Sequence, residues 1–236
     1  MADRTVTDKG QAGHRTVPVT RGPGGGRGRR RLSVAERRDE LIEASLQLFS
    51  HRSPENVSID DVAVAAGASR ALVYHYFGGK QELYIAALRS AAGQLSDLLE
   101  PPTEGRPIDR LRISLSRYFD FVEDHAAGYT TLLRGGPANR SDEVGEIIDG
   151  VRQLLLDRIL LALGGDDPGP ILRITLRCWM ALVETAALDW LERRDVPRAQ
   201  LERLLVDQYV VLLHVAGRHD PALAALFEQV AHEDPG

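Results

Sequence analysis

The chain holds a single cysteine, Cys178, among 236 residues. That excludes an internal disulfide framework and suits a reducing compartment. Long apolar runs are also lacking. The best stretches are broken by Asp157, Arg158, Glu184 and Asp189, short of the about 20 residues a membrane-spanning helix needs. The N-terminal residues have no apolar core of the kind a secretory signal carries, so a cytoplasmic location is expected, with no membrane partner. Alternating β-branched runs are missing, which argues against sheets. His75, His125, His214, His219 and His232 are scattered, with no Ser or Cys nucleophile pattern beside them. Asp166-Asp167 sits in a Gly-Pro loop without further ligands at metal spacing, and Gly24-Gly25-Gly26 follows no strand that would make it a phosphate loop. Cys178 lies in an apolar helix without an activating neighbour and reads as an inert core thiol. No catalytic residue, metal or cofactor is therefore expected.

Hydrophobic content of 43% and charged content of 27% are ordinary for a globular chain. The length suits one large or two modest domains. The net charge of −5 hides an asymmetry: residues 1–31 carry eight Arg or Lys against two Asp, net +6, and the remainder carries −11. An acidic body with one basic end suits a protein that offers nucleic acid only that end. Residues 1–32 read as a disordered basic tail. It is either a solvated leader or an arm whose Arg29, Arg30 and Arg31 follow the DNA backbone or enter the minor groove.

The remaining pattern is helical. Ser33-Val34-Ala35-Glu36 is a capping box, and Leu41, Ala44, Leu48 and Phe49 recur behind it as a buried face. A polar loop from His51 to Asn56, containing Pro54, follows. Ser58 can cap a short helix to Ala65, with Ile59, Val62, Ala63 and Ala66 on one face and Asp60 and Asp61 in the first turn. Gly67 stands where the chain must turn. Ser69 can cap a second short helix, Arg70 to Tyr76, whose Val73 and Phe77 face the first. Helix, tight turn and helix make a helix-turn-helix, whose second helix can enter a major groove. Arg70, Ala71, Tyr74, His75 and the polar edge of Tyr76 are left outside, a composition suited to base edges and phosphates.

The ordered set Ser58-x-x-Asp61-Val62-Ala63, Gly67-Ala68-Ser69, Tyr74-His75-Tyr76-Phe77 and Lys80, with Glu82-Leu83 opening the next helix, resembles the TetR family of bacterial transcriptional regulators. The match runs from Arg37 to Leu88. The resemblance implies an all-α homodimer: an N-terminal three-helix DNA-binding domain and a larger C-terminal helical domain for ligand binding and dimerisation. It implies base contacts from Arg70, Ala71 and Tyr74 and phosphate contacts from Ser58, His75, Tyr76 and Lys80. Leu72 departs from the polar residue frequent there and would instead meet a thymine methyl or a sugar. With Ser69 at the helix start and Arg29–Arg31 of the tail, these form the candidate DNA-binding set. The corresponding domains are 1–32 (tail), 33–88 (helix-turn-helix) and 89–232 (effector binding and dimerisation).

Beyond Lys80, helices are expected over Gln81–Leu99, Ile108–Asp124, Ala126–Leu133, Ser141–Leu163, Pro170–Arg193, Pro197–Arg218 and Pro221–Ala231. The two longest C-terminal helices are apolar over more than one stripe and need cover on both sides. A second subunit can supply it; a monomeric core is the other reading. Candidate effector contacts are Tyr118, Phe119, Phe121, Tyr129, Arg177, Trp179, Met180 and Glu184, although aromatics at this spacing are also ordinary core. Arg177 and Glu184 are charges in a largely apolar helix and must be paired, bound or surface-exposed. The sequence thus points to a ligand-responsive repressor that binds a palindromic DNA operator as a dimer and is released by a small-molecule effector. An architectural or interaction protein without a ligand switch is the alternative, told apart by an effector-independent footprint. An enzyme with an incidental helix-turn-helix would turn over substrate regardless of Tyr74.

Overall fold

The protein is described by a computed structural model over residues 33–135, 141–163, 169–221, 223 and 224. Among these the fold is all-α, as expected, and no strand occurs. The order is α1 (Val34–His51), a 3-10 turn (Pro54–Asn56), α2 (Ile59–Ala65), α3 (Arg70–Tyr76), α4 (Lys80–Leu98), α5 (Pro107–Asp124), α6 (Ala126–Arg134), α7 (Asp142–Ala162), α8 (Pro170–Arg193) and α9 (Arg198–Gly217). Arg29–Arg31, Asp166-Asp167 and most of the helix expected over Pro221–Ala231 lie outside the described residues.

Local chemistry starts and stops these helices where the sequence marks them. At α1 the Ser33 N–H donates to Glu36 Oε2 at 2.7 Å, and the Glu36 N–H donates to Ser33 Oγ at 3.1 Å. Between α2 and α3, Gly67 takes φ +59°, a left-handed conformation in which a Cβ is strained. That turn lets the Ala68 N–H reach Ala63 O at 2.8 Å and the Gly67 N–H reach Val64 O at 3.1 Å, so two carbonyls at the end of α2 are satisfied. Prolines open α5 and α8, where their missing N–H costs nothing.

Two apolar clusters follow. The N-terminal one joins Leu41, Leu46 and Phe49 of α1 to Val62 of α2, Val73 of α3 and Leu83 of α4, and it admits Val144 from α7. The buried face of α1 is not quite the expected one. Ala44 and Leu48 are half-buried, and its centre includes Ser45 and Ser50. Their hydroxyls donate to Leu41 O and Leu46 O at 2.7 and 2.8 Å, which makes these polar groups tolerable in a core. Pro54, expected in a polar loop, is likewise buried.

The second cluster unites α5, α7, α8 and α9 around Phe119, Leu156, Leu176, Trp190 and Leu205. On α8 the core stripe runs Leu172, Leu176, Trp179, Val183, Ala187, Trp190. Cys178 falls off that stripe and is exposed, which corrects the reading of it as a core thiol. Where α6 crosses α1, a Cβ on Gly128 would stand 2.9 Å from the Phe49 carbonyl oxygen, so only glycine allows this approach. The outer faces of α8 and α9 carry uncovered apolar side chains: Ile174 is 52% exposed, Leu204 51% and Val211 60%.

Candidate nucleic-acid interface and internal cavity

The first candidate site is built on the two capped short helices. Ser69 Oγ accepts the Leu72 N–H at 3.2 Å, fixing the start of α3. Val73 and Phe77 are buried and anchor its inner side, so Arg70, Ala71, Tyr74 and His75 face outward, with Tyr74 44% exposed. Leu72 and Tyr76 are half-buried at the edges of that face. Ser58, Arg70, Tyr74 and Lys80 border one shallow depression. All four enter it already engaged, Tyr74 through its contact with Arg70. The Ser58 hydroxyl donates to Asp61 Oδ2 at 2.6 Å, and the hydrogen bonds from the Ser58 hydroxyl and then its N–H hold the Asp61 carboxyl below its usual range. Lys80 Nζ donates to the Glu55 carbonyl at 3.3 Å. Arg70 Nη1 pairs with Asp60 Oδ2 at 3.0 Å, and its guanidinium lies 5.6 Å from the Tyr74 ring centroid.

The Arg70–Asp60 pair competes with any DNA contact by Arg70. Both side chains are mostly exposed, 60% and 62%, so the pair is weak and easily exchanged. Asp60→Asn frees Arg70 and removes a negative charge from a surface that must meet phosphates. It is expected to tighten DNA binding by about threefold to tenfold at low salt, read by fluorescence anisotropy. Unchanged affinity would show that Arg70 makes no contact of consequence.

The second candidate site is a cavity of about 420 Å³ among the C-terminal helices. Its walls come from the α4–α5 connection (Leu99, Pro101), α5 (Ile108, Arg110, Leu111, Leu115, Tyr118), α7 (Leu155, Arg158, Ile159), α8 (Trp179, Met180, Val183, Glu184) and α9 (Tyr209, Leu213, His214). A smaller cavity of about 130 Å³ lies beside it, reached by Leu46 and Phe49 of α1, Tyr84 and Leu88 of α4, and Phe121, His125 and Tyr129. Tyr118, Leu155 and Glu184 line both. At this shared wall the Tyr118 and Tyr129 hydroxyls are hydrogen-bonded to each other. Arg152 Nε and Nη2 donate to the two Glu184 oxygens at 2.9 and 2.7 Å. Burial pushes both phenols well above their ordinary value, and the hydrogen bond that Arg152 donates to Glu184 first of all raises Arg152.

Of the eight side chains expected at an effector site, Tyr118, Trp179, Met180 and Glu184 line the larger cavity, and Phe121 and Tyr129 the smaller. Phe119 and Arg177 line neither. Phe119 is fully buried in the helical core, edge-on to Trp190 at 5.6 Å. Arg177 points outward and donates to Gln153 at 2.8 Å. Arg110, Arg158 and His214 were not among the expected residues; the Pro107–Leu111–Leu115–Tyr118 stripe of α5 was the signal that could have found Arg110. Among the described residues no cluster of His, Cys, Asp or Glu could hold a metal ion.

Comparison with known proteins follows the same outline. The model of bacterial regulatory proteins of the tetR family matches residues 41–87, and that of the tetracyclin repressor-like C-terminal domain matches residues 107–212. A tetR-family transcriptional regulator of Streptomyces coelicolor, known from its crystal structure, is 44% identical and superposes with a TM-score of 0.82, over 86% of this chain and 92% of that one. The HTH-type transcriptional activator FasR of Mycolicibacterium smegmatis is 34% identical over 114 residues, 47% of this chain and 51% of FasR. The HTH-type transcriptional regulator BetI of Rhizobium meliloti is 32% identical over 130 residues, 54% of this chain and 64% of BetI. The chain thus spans less than two thirds of these two relatives.

Proposed function

Since the chain belongs to the TetR family of DNA-binding transcriptional regulators, we propose that it is a repressor that holds a palindromic operator as a homodimer and releases it when a small molecule fills the larger cavity. The observation that carries this reading is the outward face of α3: Arg70 and Tyr74 sit beside Ser58 and Lys80 around one depression, with Ala71 leaving room for close approach. Arginine can fork onto guanine, hydroxyls and lysine can hold phosphates, and a short helix fits a major groove.

Dimerisation through α8 and α9 is supported by the apolar side chains left uncovered there. It gives a short recognition helix a second half-site about one turn of DNA away. Effector control is supported by the arrangement of the two cavities. A ligand touching Tyr118 and Glu184 presses on the wall of the smaller cavity, whose far side is α1 of the DNA-reading unit. The coupling needs only a ligand that binds one disposition of these helices better than the other. On this reading the reader ends within α4 near Leu88, and the protein works in the cytoplasm; no helix of the described residues is long and apolar enough to cross a membrane.

The test is enrichment of fragmented genomic DNA on the purified protein at physiological salt, beside Tyr74→Ala. One palindromic site recovered by the parent, and at least about tenfold less by the variant, is the expected outcome. Salt-sensitive recovery of all fragments by both proteins alike would overturn it. A promoter fusion reads the sign: transcription that rises when the gene is deleted supports a repressor, and transcription that falls supports an activator, as FasR is named.

A further inference from the structure

We propose that the effector is a single-chain amphiphile with an anionic head, held with its head on Arg110 and its apolar chain along α5; this rests on the effector-cavity reading above. The larger cavity has three cationic or potentially cationic side chains: Arg110 near the start of α5, Arg158 near the end of α7 and His214 near the end of α9. Arg158 is committed, with Nη2 2.5 Å from Glu100 Oε2 and Nη1 donating to the Ser96 carbonyl. Glu184, the cavity's acid, is neutralised by the two-pronged contact from Arg152. Arg110 is different. Its Nε is enclosed and has no hydrogen-bond partner, and its guanidinium makes no ion pair among the described residues.

The enclosed Nε–H of this half-buried arginine stays unsatisfied unless an acceptor joins it. An enclosed N–H without an acceptor loses its hydration and receives nothing in exchange. A planar guanidinium matches a carboxylate or a phosphate with two parallel hydrogen bonds, and their strength grows where water is excluded. Most of the rest of the wall is apolar, the Ser114 and Tyr209 hydroxyls being exceptions. Leu111, Leu115, Ile159, Met180, Val183 and Leu213 offer no hydrogen-bond donor, and their one hetero atom is the weakly accepting Met180 sulfur. The Tyr118 hydroxyl at the far end is already bonded to Tyr129. A ligand with many polar groups along its length would find few partners beyond the Ser114 and Tyr209 hydroxyls.

The dimensions accommodate an extended chain. The lining residues of α5 run from Pro107 to Tyr118, roughly 16 Å of helix at 1.5 Å per residue. Arg110 stands within the first turn of that stripe, so a head at Arg110 leaves the remaining two turns for the tail. A cationic amphiphile would set like charges together, and a neutral one could accept a hydrogen bond from Arg110 but would leave its charge unpaired.

The test uses the full chain and four probes with one twelve-carbon tail: dodecanoate, dodecyl phosphate, dodecanol and dodecyltrimethylammonium, each below its micellar concentration. Isothermal titration is expected to show at least one anion binding about tenfold or more tighter than dodecanol, as a charge-assisted hydrogen bond pair provides. The cation should be weakest. Arg110→Gln should bring the anion to the affinity of dodecanol while leaving dodecanol unchanged, and Arg110→Lys should retain part of the preference. Dodecanoate above dodecyl phosphate identifies a carboxylate head, the reverse order a phosphate. Dodecanol binding as tightly as both anions, or an Arg110→Gln chain that keeps the anion preference, overturns the head-group assignment and leaves an apolar effector cavity standing. Binding by none of the four overturns the assignment and the cavity reading together.

Discussion

A chain carrying Leu204→Glu and Val211→Glu together is expected to remain folded, to sediment as a monomer and to lose its operator. The two residues are seven apart on α9 and share its outer face, 51% and 60% exposed in the single chain. Neither is needed for the inner core of its own subunit, so helix content should hold. In a two-fold dimer every residue occurs twice, so the double substitution brings four carboxylates to one interface. Burying each Leu or Val contributes about 1.5–3 kcal/mol, and putting unpaired carboxylates in their place costs several kcal/mol more. Loss of the second half-site should then weaken operator binding by at least about a hundredfold. Sedimentation velocity and a gel shift read the two consequences, and circular dichroism checks the fold. A variant that still sediments as a dimer would place the interface elsewhere.

Phe119→Ala is expected to cost about 3–5 kcal/mol of stability, the range for truncating a buried aromatic to alanine. Phe119 is fully enclosed, with Tyr118 and Trp190 both edge-on to it at ring separations of 5.7 and 5.6 Å. Such ring pairs add about 0.5–1.5 kcal/mol beyond area, so this site belongs toward the upper end. Urea unfolding measures it, with the midpoint shifting and the slope unchanged. The same variant separates two roles for an aromatic on α5. A side chain that serves the core lowers the midpoint. One that serves an effector leaves the midpoint nearly alone and weakens ligand binding instead.

Phe119 also shows where reading from sequence reached its limit. Helical period placed Tyr118, Phe119 and Phe121 on one short stretch, yet it could not say which looks into a cavity and which into packing. A cavity is a property of four assembled helices, not of any one of them. The same holds for α8, apolar nearly all round: its pattern announced two covered faces without saying which stripe was whose, and Cys178 was assigned to the wrong one. What was legible depended on neighbours in sequence. The caps at Ser33, Ser58 and Ser69, the turn at Gly67 and the outward face of α3 are decided within a few residues, and there sequence and structure agree. Ser45 and Ser50 escaped because their hydroxyls hide from hydropathy by bonding to the preceding turn. Arg110 escaped because an arginine in the first turn of a helix ordinarily reaches solvent.

The crossing of α1 over α6 bears on how such regulators can be recombined. Gly128 lets α6 lie against the Phe49 carbonyl, and Val144 of α7 completes the apolar cluster under the DNA-reading helices. A graft that exchanges the chain up to Leu88 for the reader of another regulator therefore brings a foreign α1 onto this α6 and this Val144. A donor with a bulkier backbone neighbour at that crossing, or a polar residue opposite Val144, would inherit the right DNA contacts on a seat that does not fit. The transplantable unit is the reader together with the patch of α6 and α7 on which it rests, a set of residues contiguous in space and split in sequence.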